Sequence, residues 1–369
     1  MHRRSSRRLL LGLVMLVAAC APAAAPSRMA TEQQATASHA LANADDPAQS
    51  LSSSAAPIHL VVNYAAAGGG QSGLWIAYEA GYYREQGLDV ELVNIVGNVP
   101  AMQAMVAGQV QLGGLDPGGA IQASLSGPDL VMLFAGVNRL PYAVMTQPII
   151  QEPSALRGKT IGITRLGSSS HTAARLALEK WGLVPDVDVA LRQLGDPPGI
   201  LAGMQAGQID AGLISPPTTT LAREAGYHQL FDLAVEGPEY PSITVGGLRP
   251  WIQANDEAVR RFGRAYVQAM QRLKTDKPWM LELYRKYLRL DDPQLLEDTY
   301  NQYRNLFPTI PYVSESGVAR LLEDLAVEEP RLAGRQASDW IDSHYVRDME
   351  ASGFVRQVVG DGPGSIGSN

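Results

Sequence analysis

A chain of 369 residues, of which 46% are hydrophobic and 18% charged, is long enough for two globular domains and too apolar for a wholly disordered protein. The single cysteine excludes an intramolecular disulfide framework and a cysteine-cluster metal site. The formal net charge of −7 provides no concentrated positive field, so a nucleic-acid partner is not expected.

The first residues have the pattern of an export signal. Arginines precede an uncharged run over 9–19, which is too short to span about 30 Å of hydrocarbon as a helix. The sequence VAAC ending at Cys20 resembles the lipobox of bacterial lipoproteins, which implies that Cys20 becomes a lipidated N-terminus after cleavage. A simple secretory signal with an incidental cysteine is the alternative, and Arg7-Arg8 also resembles a twin-arginine export signal. We interpret residues 1–20 as a lipoprotein signal peptide.

The next segment has few side chains that could form a core. Residues 21–57 are rich in Ala, Ser, Pro, Thr and Gln, and they contain only three large apolar residues. Such a segment cannot bury enough surface to offset its ordering entropy. We therefore predict a disordered tether over 21–57, a folded part over 58–354, and a flexible tail over 355–369.

Two segments of the folded part repeat one pattern. Residues 105–117 (MVAGQVQLGGLDP) align with 204–216 (MQAGQIDAGLISP), with six of thirteen positions identical. Each predicts the end of a helix, a glycine stop, a short strand and a proline-containing loop. Upstream, β-branched runs at 58–64 and 159–164 are each followed by a Gly/Ser loop and a helix. Alternating strands and helices predict right-handed βαβ units with mainly parallel sheets, and two copies predict two α/β lobes.

The remaining elements extend this arrangement. Further strands are predicted over 89–95, 187–193 and 242–248, and the chain is mainly helical afterwards. An apolar stripe at helical spacing runs over 259–273, and further helical patterns cover 276–289, 293–305, 315–327 and 337–352. We assign 58–150 together with 241–354 to a first lobe and 151–240 to a second. The two connections, near 148–156 and near 240, predict a double-stranded hinge.

Ligands of open α/β sheets bind outside the carboxyl ends of the strands. This rule selects four loops, two from each lobe, at residues 65–72, 116–119, 165–170 and 215–218. If the lobes face each other about a pseudo-twofold axis, all four loops border one cleft.

The loop of the second lobe, LGSSSH at 166–171, is the most informative of the four. Ser168, Ser169 and Ser170 stand with free backbone N–H groups at a helix start, where a helix dipole favours an anion. One serine that caps its own helix is the simpler interpretation. His171 either covers the ligand or packs at the surface. Three hydroxyls in a row favour a site for an oxygen-rich ligand.

The glycine-rich loop of the first lobe, GGGQSG at 68–73, matches G-x-G-x-x-G between a strand and a helix. A dinucleotide site is disfavoured because the acidic residue that should end the second strand is missing. The same loop serves as a small-residue floor beneath a ligand, with Gln71 and Ser72 in contact with it. Tyr64 and Trp75 are candidates for an apolar wall, although Trp75 is also suited to helix packing.

Other candidates are few. Asp116 and Ser215 follow the paired strands of the repeat, and Asp116 could bind a cationic or hydroxyl group. The sequence contains no G-x-S-x-G elbow and no H-E-x-x-H motif, and its six histidines are scattered. Neither a catalytic set nor a metal site is predicted.

Several segments in fixed order resemble substrate-binding proteins of ABC transporters of the nitrate/sulfonate/taurine type, a group that includes binders of thiamine pyrimidine precursors. They are GYYREQGLDV at 81–90, the AGQ turn at 107–109, LRGKTIGI at 156–163 and GSSSH at 167–171. The resemblance covers about 58–325. It implies a two-lobed periplasmic-binding-protein-like fold of type II, and it points to Ser168, Ser169 and Ser170, with His171 beside them, as the anion site.

The resemblance also implies the partners of the chain. The expected function is an extracytoplasmic, membrane-anchored receptor, a monomer without cofactor. It would close on a small anionic ligand and deliver that ligand to an ABC permease with its ATPase. The alternative is an enzyme on the same scaffold that acts on a thiamine pyrimidine or similar ring. The cysteine-rich motif of the fungal thiamine-pyrimidine synthases is absent from the sequence, which argues against that branch. The sequence does not name the ligand among sulfonates, nitrate, aromatic acids and pyrimidines.

Overall fold

The computed structural model describes residues 56–64 and 68–360, apart from the side chain of Asn98. The predicted signal peptide, Cys20 and nearly all of the predicted tether lie outside the described residues. Within the described ranges, no helix is both long enough and apolar enough to cross a membrane.

The described residues contain ten strands in two five-stranded sheets. The first sheet has the order β2-β1-β3-β10-β4 and the second has the order β7-β6-β8-β5-β9. The strands are β1 Ile58–Tyr64, β2 Leu88–Asn94, β3 Leu112–Leu115, β4 Leu130–Val137, β5 Ala143–Thr146, β6 Lys159–Ile163, β7 Val189–Gln193, β8 Ala211–Ile214, β9 His228–Asp232 and β10 Ile243–Leu248.

Helices flank both sheets, and most of those after β10 pack on the first. They are α1 Ser72–Glu79, α2 Tyr82–Glu85, α3 Asn98–Val106, α4 Pro117–Ser124, α5 Ser169–Lys180, α6 Pro197–Gln205, α7 Thr218–Glu224, α8 Leu233–Glu236, α9 Arg249–Ala254, α10 Asp256–Thr275, α11 Lys277–Leu288, α12 Pro293–Leu306, α13 Glu315–Ala326, α14 His344–Ala351 and α15 Phe354–Val359. Four of them (α4, α6, α11 and α12) start with an aspartate N-cap and a proline in the first turn, which satisfies orphan N–H groups and presets the backbone.

The sequence repeat is confirmed as a structural repeat. Helices α3 and α6 both end at a glycine with positive φ, Gly108 at 72° and Gly207 at 65°, where a side chain would be strained. A buried four-residue strand follows each of them, β3 and β8. One hydrogen bond from a backbone N–H to a side chain is also repeated: Gln111 accepts from Val61 N at 2.8 Å, and Asp210 accepts from Thr160 N at 2.9 Å. The predicted α/β fold with two lobes is therefore correct.

Each sheet receives one antiparallel strand from the other half of the repeat. β10 lies antiparallel between β3 and β4, and β5 lies antiparallel between β8 and β9. The chain therefore crosses between the sheets twice, at 138–142 and at 233–242. The first crossing comes earlier than the predicted 148–156, because β5, which we assigned to the first lobe, is hydrogen-bonded in the second sheet.

The core of the first lobe is built around α10. The predicted apolar stripe of this helix is almost entirely buried, with Phe262 and Met270 at 0% exposure. Phe262 lies 5.2 Å from Tyr83 and 6.0 Å from Phe134, measured between ring centroids. Aromatic contacts of this kind add to the free energy gained by burial.

The end of the chain differs from the sequence prediction in two places. The last predicted helix, 337–352, starts only at His344, because residues 337–339 form a short 3-10 turn. The predicted flexible tail begins with α15, whose Val355 is 5% exposed. Apolar side chains of α15 pack on the core of the first lobe, and this packing orders a segment that composition alone marks as loose.

Residues 312–314, which we call the strap, connect both crossings to the C-terminal region of the chain. Asn138, on the first crossing, donates to Tyr312 O at 2.7 Å and accepts from Ser314 N at 3.1 Å. Glu239, on the second crossing, accepts from Ser314 Oγ at 2.6 Å. The following helix, α13, forms an ion pair with α5 through Arg320, 3.1 Å from Glu179. The double-stranded hinge is therefore braced by a third segment.

Candidate functional site

The start of α5 is held by a small network of hydroxyl groups. Ser170 is fully buried and accepts from Thr164 N at 2.9 Å. The hydroxyls of Thr164, Ser168 and Ser170 lie 2.8–3.0 Å from one another. Ser168 also donates to Arg165 O at 2.7 Å. Two of the three predicted serines therefore shape the loop.

Ser169 is the serine that points away from this network. Its Oγ lies 2.9 Å from the hydroxyl of Tyr142, which stands at the end of the first crossing. In the part of the chain that the structure describes, no side chain caps the start of α5, so the simpler interpretation, in which a serine caps its own helix, is wrong. Among the same residues, the first N–H groups of α5 have no side-chain acceptor and retain their partial positive charge beside Ser169 and Tyr142.

His171 lies in the first turn of α5 and holds the loop that precedes the helix. Its Nδ1 accepts from Gly167 N at 3.1 Å, and the ring is partly buried. Burial, followed by the nearby Arg175 guanidinium, lowers the pKa of His171. The imidazole is therefore neutral at pH 7 and acts as an acceptor for the backbone.

Asp116 faces this loop from the first lobe. Its Oδ1 accepts from Gly119 N at 2.8 Å, so the carboxylate caps α4. Burial raises the pKa of Asp116, while the Gly119 N–H and the Arg165 guanidinium of the second lobe oppose that rise. The Asp116 charge in turn raises the pKa of Tyr142. Asp116, Tyr142, Arg165 and Ser169 are therefore neighbours in space although they come from both lobes.

The glycine-rich loop packs tightly against the first lobe. A Cβ on Gly69 would lie 2.3 Å from the Tyr303 ring, and a Cβ on Gly73 would lie 2.6 Å from the Tyr266 ring. Steric contact within the lobe thus explains these glycines without a dinucleotide. Burial raises the pKa of Tyr303, and the Tyr142 hydroxyl adds to the rise, which places Tyr303 between the glycine-rich loop and the serine site.

Three first-lobe candidates lie behind the site. Ser72 is fully buried, donates to Gly69 O, and lies 3.1 Å from the Tyr284 hydroxyl. Trp75 is also fully buried and stacks on Tyr287 at 4.5 Å, with Tyr64 edge-on to Trp75 at 5.7 Å. The Ser72 hydroxyl is hydrogen-bonded and the two rings pack on aromatic neighbours within the lobe, whereas the buried Trp75 Nε1 has no partner among the described residues.

Two buried amides on the first lobe have no partner among the described residues. Gln71 is 6% exposed and its Oε1 is unpaired; Asn63, at the end of β1, is fully buried with both amide atoms unpaired. Residues 65–67, between them, lie outside the described residues. Unpaired buried amides are costly, so this edge of β1 and β3 is suited to a polar group of a ligand. Sequence reasoning missed Asn63, because it reads as a strand residue.

The fourth predicted loop borders a smaller cavity with polar and apolar lining residues. Ser215 is partly buried, and its carbonyl accepts from Thr219 N at 3.3 Å. Thr219 donates to Gln302 of α12 at 3.3 Å, which joins the two lobes on this side. A cavity of about 320 Å³ here is lined by Tyr142, Pro216, Thr219, Gln229, Asp232, Asn301 and Gln302, among others. Ser215 itself lies at its edge, next to Pro216.

A larger cavity opens on the opposite side of the serine site. It has a volume of about 910 Å³ and is lined by α3 and α4 of the first lobe and by residues 165–168 of the second. Both lobes therefore contribute to it.

The arrangement is that of a cleft with polar groups at its centre. It offers N–H groups, hydroxyls and one guanidinium, which suit a small anion. Within the described ranges, no group of three or more His, Cys, Asp or Glu side chains could hold a metal ion.

Comparison with known proteins extends this picture. The chain is 26% identical over 193 residues to the taurine-binding periplasmic protein of Escherichia coli (strain K12), covering 52% of this chain and 59% of that protein. It is 24% identical over 299 residues to the formylaminopyrimidine-binding protein of Halalkalibacterium halodurans, covering 78% and 82%. The chain thus spans about three fifths of the taurine-binding relative.

Solved structures show the same architecture. The periplasmic nitrate-binding protein NrtA from Synechocystis PCC 6803 superposes with a TM-score of 0.68 at 13% identity, covering 83% of this chain and 91% of that one. The alkanesulfonate-binding protein SsuA from Xanthomonas axonopodis pv. citri, solved with MOPS, gives 0.62 at 20% identity, covering 78% and 100%.

Two sheets that exchange one strand each across a double connection, with a polar cleft between them, define a periplasmic-binding-protein fold. Within that class the family is also defined. The family model described as NMT1/THI5 like matches residues 70–277, more than half of the chain, and the chain belongs to this family.

Proposed function

We propose that this chain is the extracytoplasmic solute-binding component of an ABC importer and that it closes on a small anionic organic ligand. The observation that carries the proposal is the uncapped start of α5, with the Ser169 hydroxyl 2.9 Å from Tyr142 at the boundary of the two lobes. Free N–H groups at a helix N-terminus favour a negative charge. The relatives named above bind taurine or formylaminopyrimidine, which supports a small-molecule ligand.

The charges around the site agree with an anion. Burial raises the pKa of Asp116 and the positive charge of the Arg165 guanidinium opposes that rise, so a cation lies near this carboxyl. Ser169 supplies a hydroxyl donor, and on the facing lobe Gln71 Oε1 and both amide atoms of Asn63 have no partner among the described residues. Ser168, Ser170 and His171 hold the loop in shape. Tyr64, Ser72 and Trp75 act from behind as packing residues.

The two side chains at this site that could act as acid or base are both engaged with the backbone. The His171 imidazole accepts a backbone N–H, and the Asp116 carboxylate caps a helix. Among the described residues, neither forms a hydrogen bond to a hydroxyl, thiol or amine side chain, as acid–base activation of a nucleophile requires. We therefore favour binding without chemical conversion.

Attachment to a membrane belongs to the same proposal. The VAAC sequence at Cys20 supports lipidation, and residues 21–57 would then link the anchor to the folded part. The chain would act as a monomer that delivers its ligand to a membrane permease. Incorporation of labelled palmitate, lost in Cys20→Ser, tests the anchor, and unchanged labelling in that variant would contradict it.

The binding proposal is tested by a thermal-shift screen of the purified protein against alkanesulfonates, nitrate, aromatic carboxylates and pyrimidines. A ligand that binds the folded state raises the melting temperature by mass action. Titration calorimetry with the compound found should then show weaker binding for Ser169→Ala than for the wild type. Ser352→Ala, which removes a hydroxyl bonded to its own helix at 3.0 Å, is the matched control. Equal affinity of the wild type and Ser169→Ala would refute the assignment of the site.

A further inference from the structure

The smaller cavity, of about 320 Å³, lies where α12 faces the second lobe. One side of it belongs to the first lobe, because Tyr300 and Tyr303 hold α12 in the core of that lobe. The other side belongs to the second sheet and to the starts of α7 and α8. A hydrogen bond of 3.3 Å from Thr219 to Gln302 joins the two sides. The cavity therefore spans the boundary of the lobes.

The lining of this cavity has one acidic side chain and no basic one. Asp232 is its only carboxylate, and no lysine, arginine or histidine is among the described residues that line it. The nearby charges of Glu236 and Arg223 act on Asp232 in opposite directions. Arg223 also has other partners, since it donates to Gln229 Oε1 at 3.0 Å and to Thr220 Oγ1 at 2.9 Å. The cavity is therefore suited to a positive charge.

The surroundings of the Asp232 carboxylate favour the same conclusion. Its Oδ1 accepts from Ala234 N at 2.9 Å and caps α8. Burial raises the pKa of Asp232, so water compensates the charged form poorly. A cation beside the carboxylate would supply this compensation. From α12, the carboxamide groups of Asn301, Gln302 and Asn305 add oxygen atoms that can accept from an N–H donor.

This cavity is separate from the proposed anion site. Ser169, Arg165 and Asp116 do not line it, whereas Arg165 lines the larger cavity. Tyr142 connects the cavity to the anion site, because it lines the cavity and its hydroxyl lies 2.9 Å from Ser169. The basic side chain thus lies at the larger cavity and the acidic side chain at the smaller one, so the two differ in the sign of the charge they attract.

From these observations we propose that the cavity between Asp232 and the amides of α12 binds a small organic cation, a primary ammonium with a short apolar part. The ammonium group donates to the Asp232 carboxylate and to the α12 amides. Ala143, Pro216 and Leu306, which also line the cavity, contact the carbon atoms of the ligand. A bound cation connects the lobes on this side, because the two sides of the cavity belong to different lobes. The inference goes beyond the proposed function, since the cation neither requires nor replaces the anion.

The test is thermal unfolding of the purified protein at increasing concentrations of n-butylamine, which is positively charged at pH 7. 1-Butanol at the same concentrations and ionic strength is the neutral comparison. Binding of butylamine to the folded state raises the melting temperature. Asp232→Asn keeps a favourable helix cap and removes the charge, so it should weaken butylamine binding about tenfold or more. Asp196→Asn is the matched control, because Asp196 also caps a helix, accepting from Gly199 N at 2.7 Å, and does not line the cavity.

Asn305→Lys provides a second variant. Asn305 is exposed, so the substitution leaves the core unchanged, and the lysine adds a positive charge to the lining of the cavity. Butylamine should therefore bind this variant more weakly than the wild type.

The outcomes separate this proposal from the proposed function. No rise with butylamine, or an equal rise with 1-butanol, would overturn the cation site and leave the anion site as proposed. Equal binding of butylamine by the wild type and Asp232→Asn would overturn it as well. A rise that is lost in Ser169→Ala would place the amine in the anion site and refute a separate cavity for it. Failure of every anion in the ligand screen, with butylamine still bound, would refute the proposed function alone.

Discussion

The Ser170→Ala variant tests whether Ser170 stabilises the loop while Ser169 is the serine that we propose to bind the ligand. Ser170 is fully buried, and its Oγ accepts from Thr164 N at 2.9 Å. Alanine leaves this N–H without its acceptor, and an unpaired buried donor costs about 1–3 kcal/mol. The hydroxyls of Thr164 and Ser168 remain 3.0 Å apart and keep each other as partners, so their loss is small. We expect the free energy of unfolding to fall by about 2 kcal/mol.

The measurement is chemical unfolding followed by circular dichroism, with Ser169→Ala beside it. The Ser169 hydroxyl is partly exposed and is bonded to Tyr142 alone among the described side chains. Water can replace that partner, so Ser169→Ala should lower the free energy of unfolding by less than about 1 kcal/mol. Ligand binding should rank the two variants in the opposite order, with Ser169→Ala weaker.

Two results would contradict the roles assigned to Ser169 and Ser170. If Ser170→Ala unfolds at the same denaturant concentration as the wild type, the Thr164 N–H does not depend on Ser170. If Ser169→Ala is the less stable variant, the assignment of structural and binding roles within this loop is reversed. Either result would refute the division of labour among the three serines.

Three further predictions concern the turn, the glycine-rich loop and the strap. Because burial lowers the pKa of His171, the unfolded state binds the proton more readily, so stability should fall as the pH drops below the usual histidine pKa of about 6.5. His171→Gln should lose this pH-dependent component when unfolding is measured at several pH values. Gly69→Ala should cost about 1–3 kcal/mol from overpacking against Tyr303, whereas Gly68→Ala, with no atom within 4 Å, should match the wild type in thermal unfolding. Asn138→Ala removes two hydrogen bonds of the strap and should lower the unfolding free energy by about 1–3 kcal/mol; an unchanged value would mean that water replaces both.

Local patterns predicted much of the fold correctly. The repeated glycine stops at Gly108 and Gly207 and the β-branched runs are short-range signals. The five strands predicted with bounds (β1, β2, β6, β7 and β10) lie within two residues of those bounds, whereas β4, β5 and β9 were not predicted. The position of β10 in the first lobe was predicted, but the pairing of β5 with the second sheet was not. Pairing between strands 65–89 residues apart is set by tertiary packing, and a β-branched pattern does not name the partner strand. The first crossing was therefore placed too late.

The candidate site shows the same limit of sequence reasoning. The serine loop can be recognised from its composition, but the contacts of Ser168, Ser169 and Ser170 depend on which hydroxyl lies near Thr164 and which lies near Tyr142. Tyr142 gave no signal, because its contact with Ser169 follows from the position of the first crossing. For Trp75 the sequence left ligand contact and helix packing open, and the structure buries the ring fully in the core.

The exchanged strands also determine when the protein can acquire its structure during synthesis. β3 and β4 stay incomplete until β10, at residues 243–248, has been made. At about 5–20 residues per second, a nascent chain spends several seconds with those two edges open. Because β10 follows every strand of the second sheet in the chain, the first sheet is the last to be completed, although its first strand is made earliest.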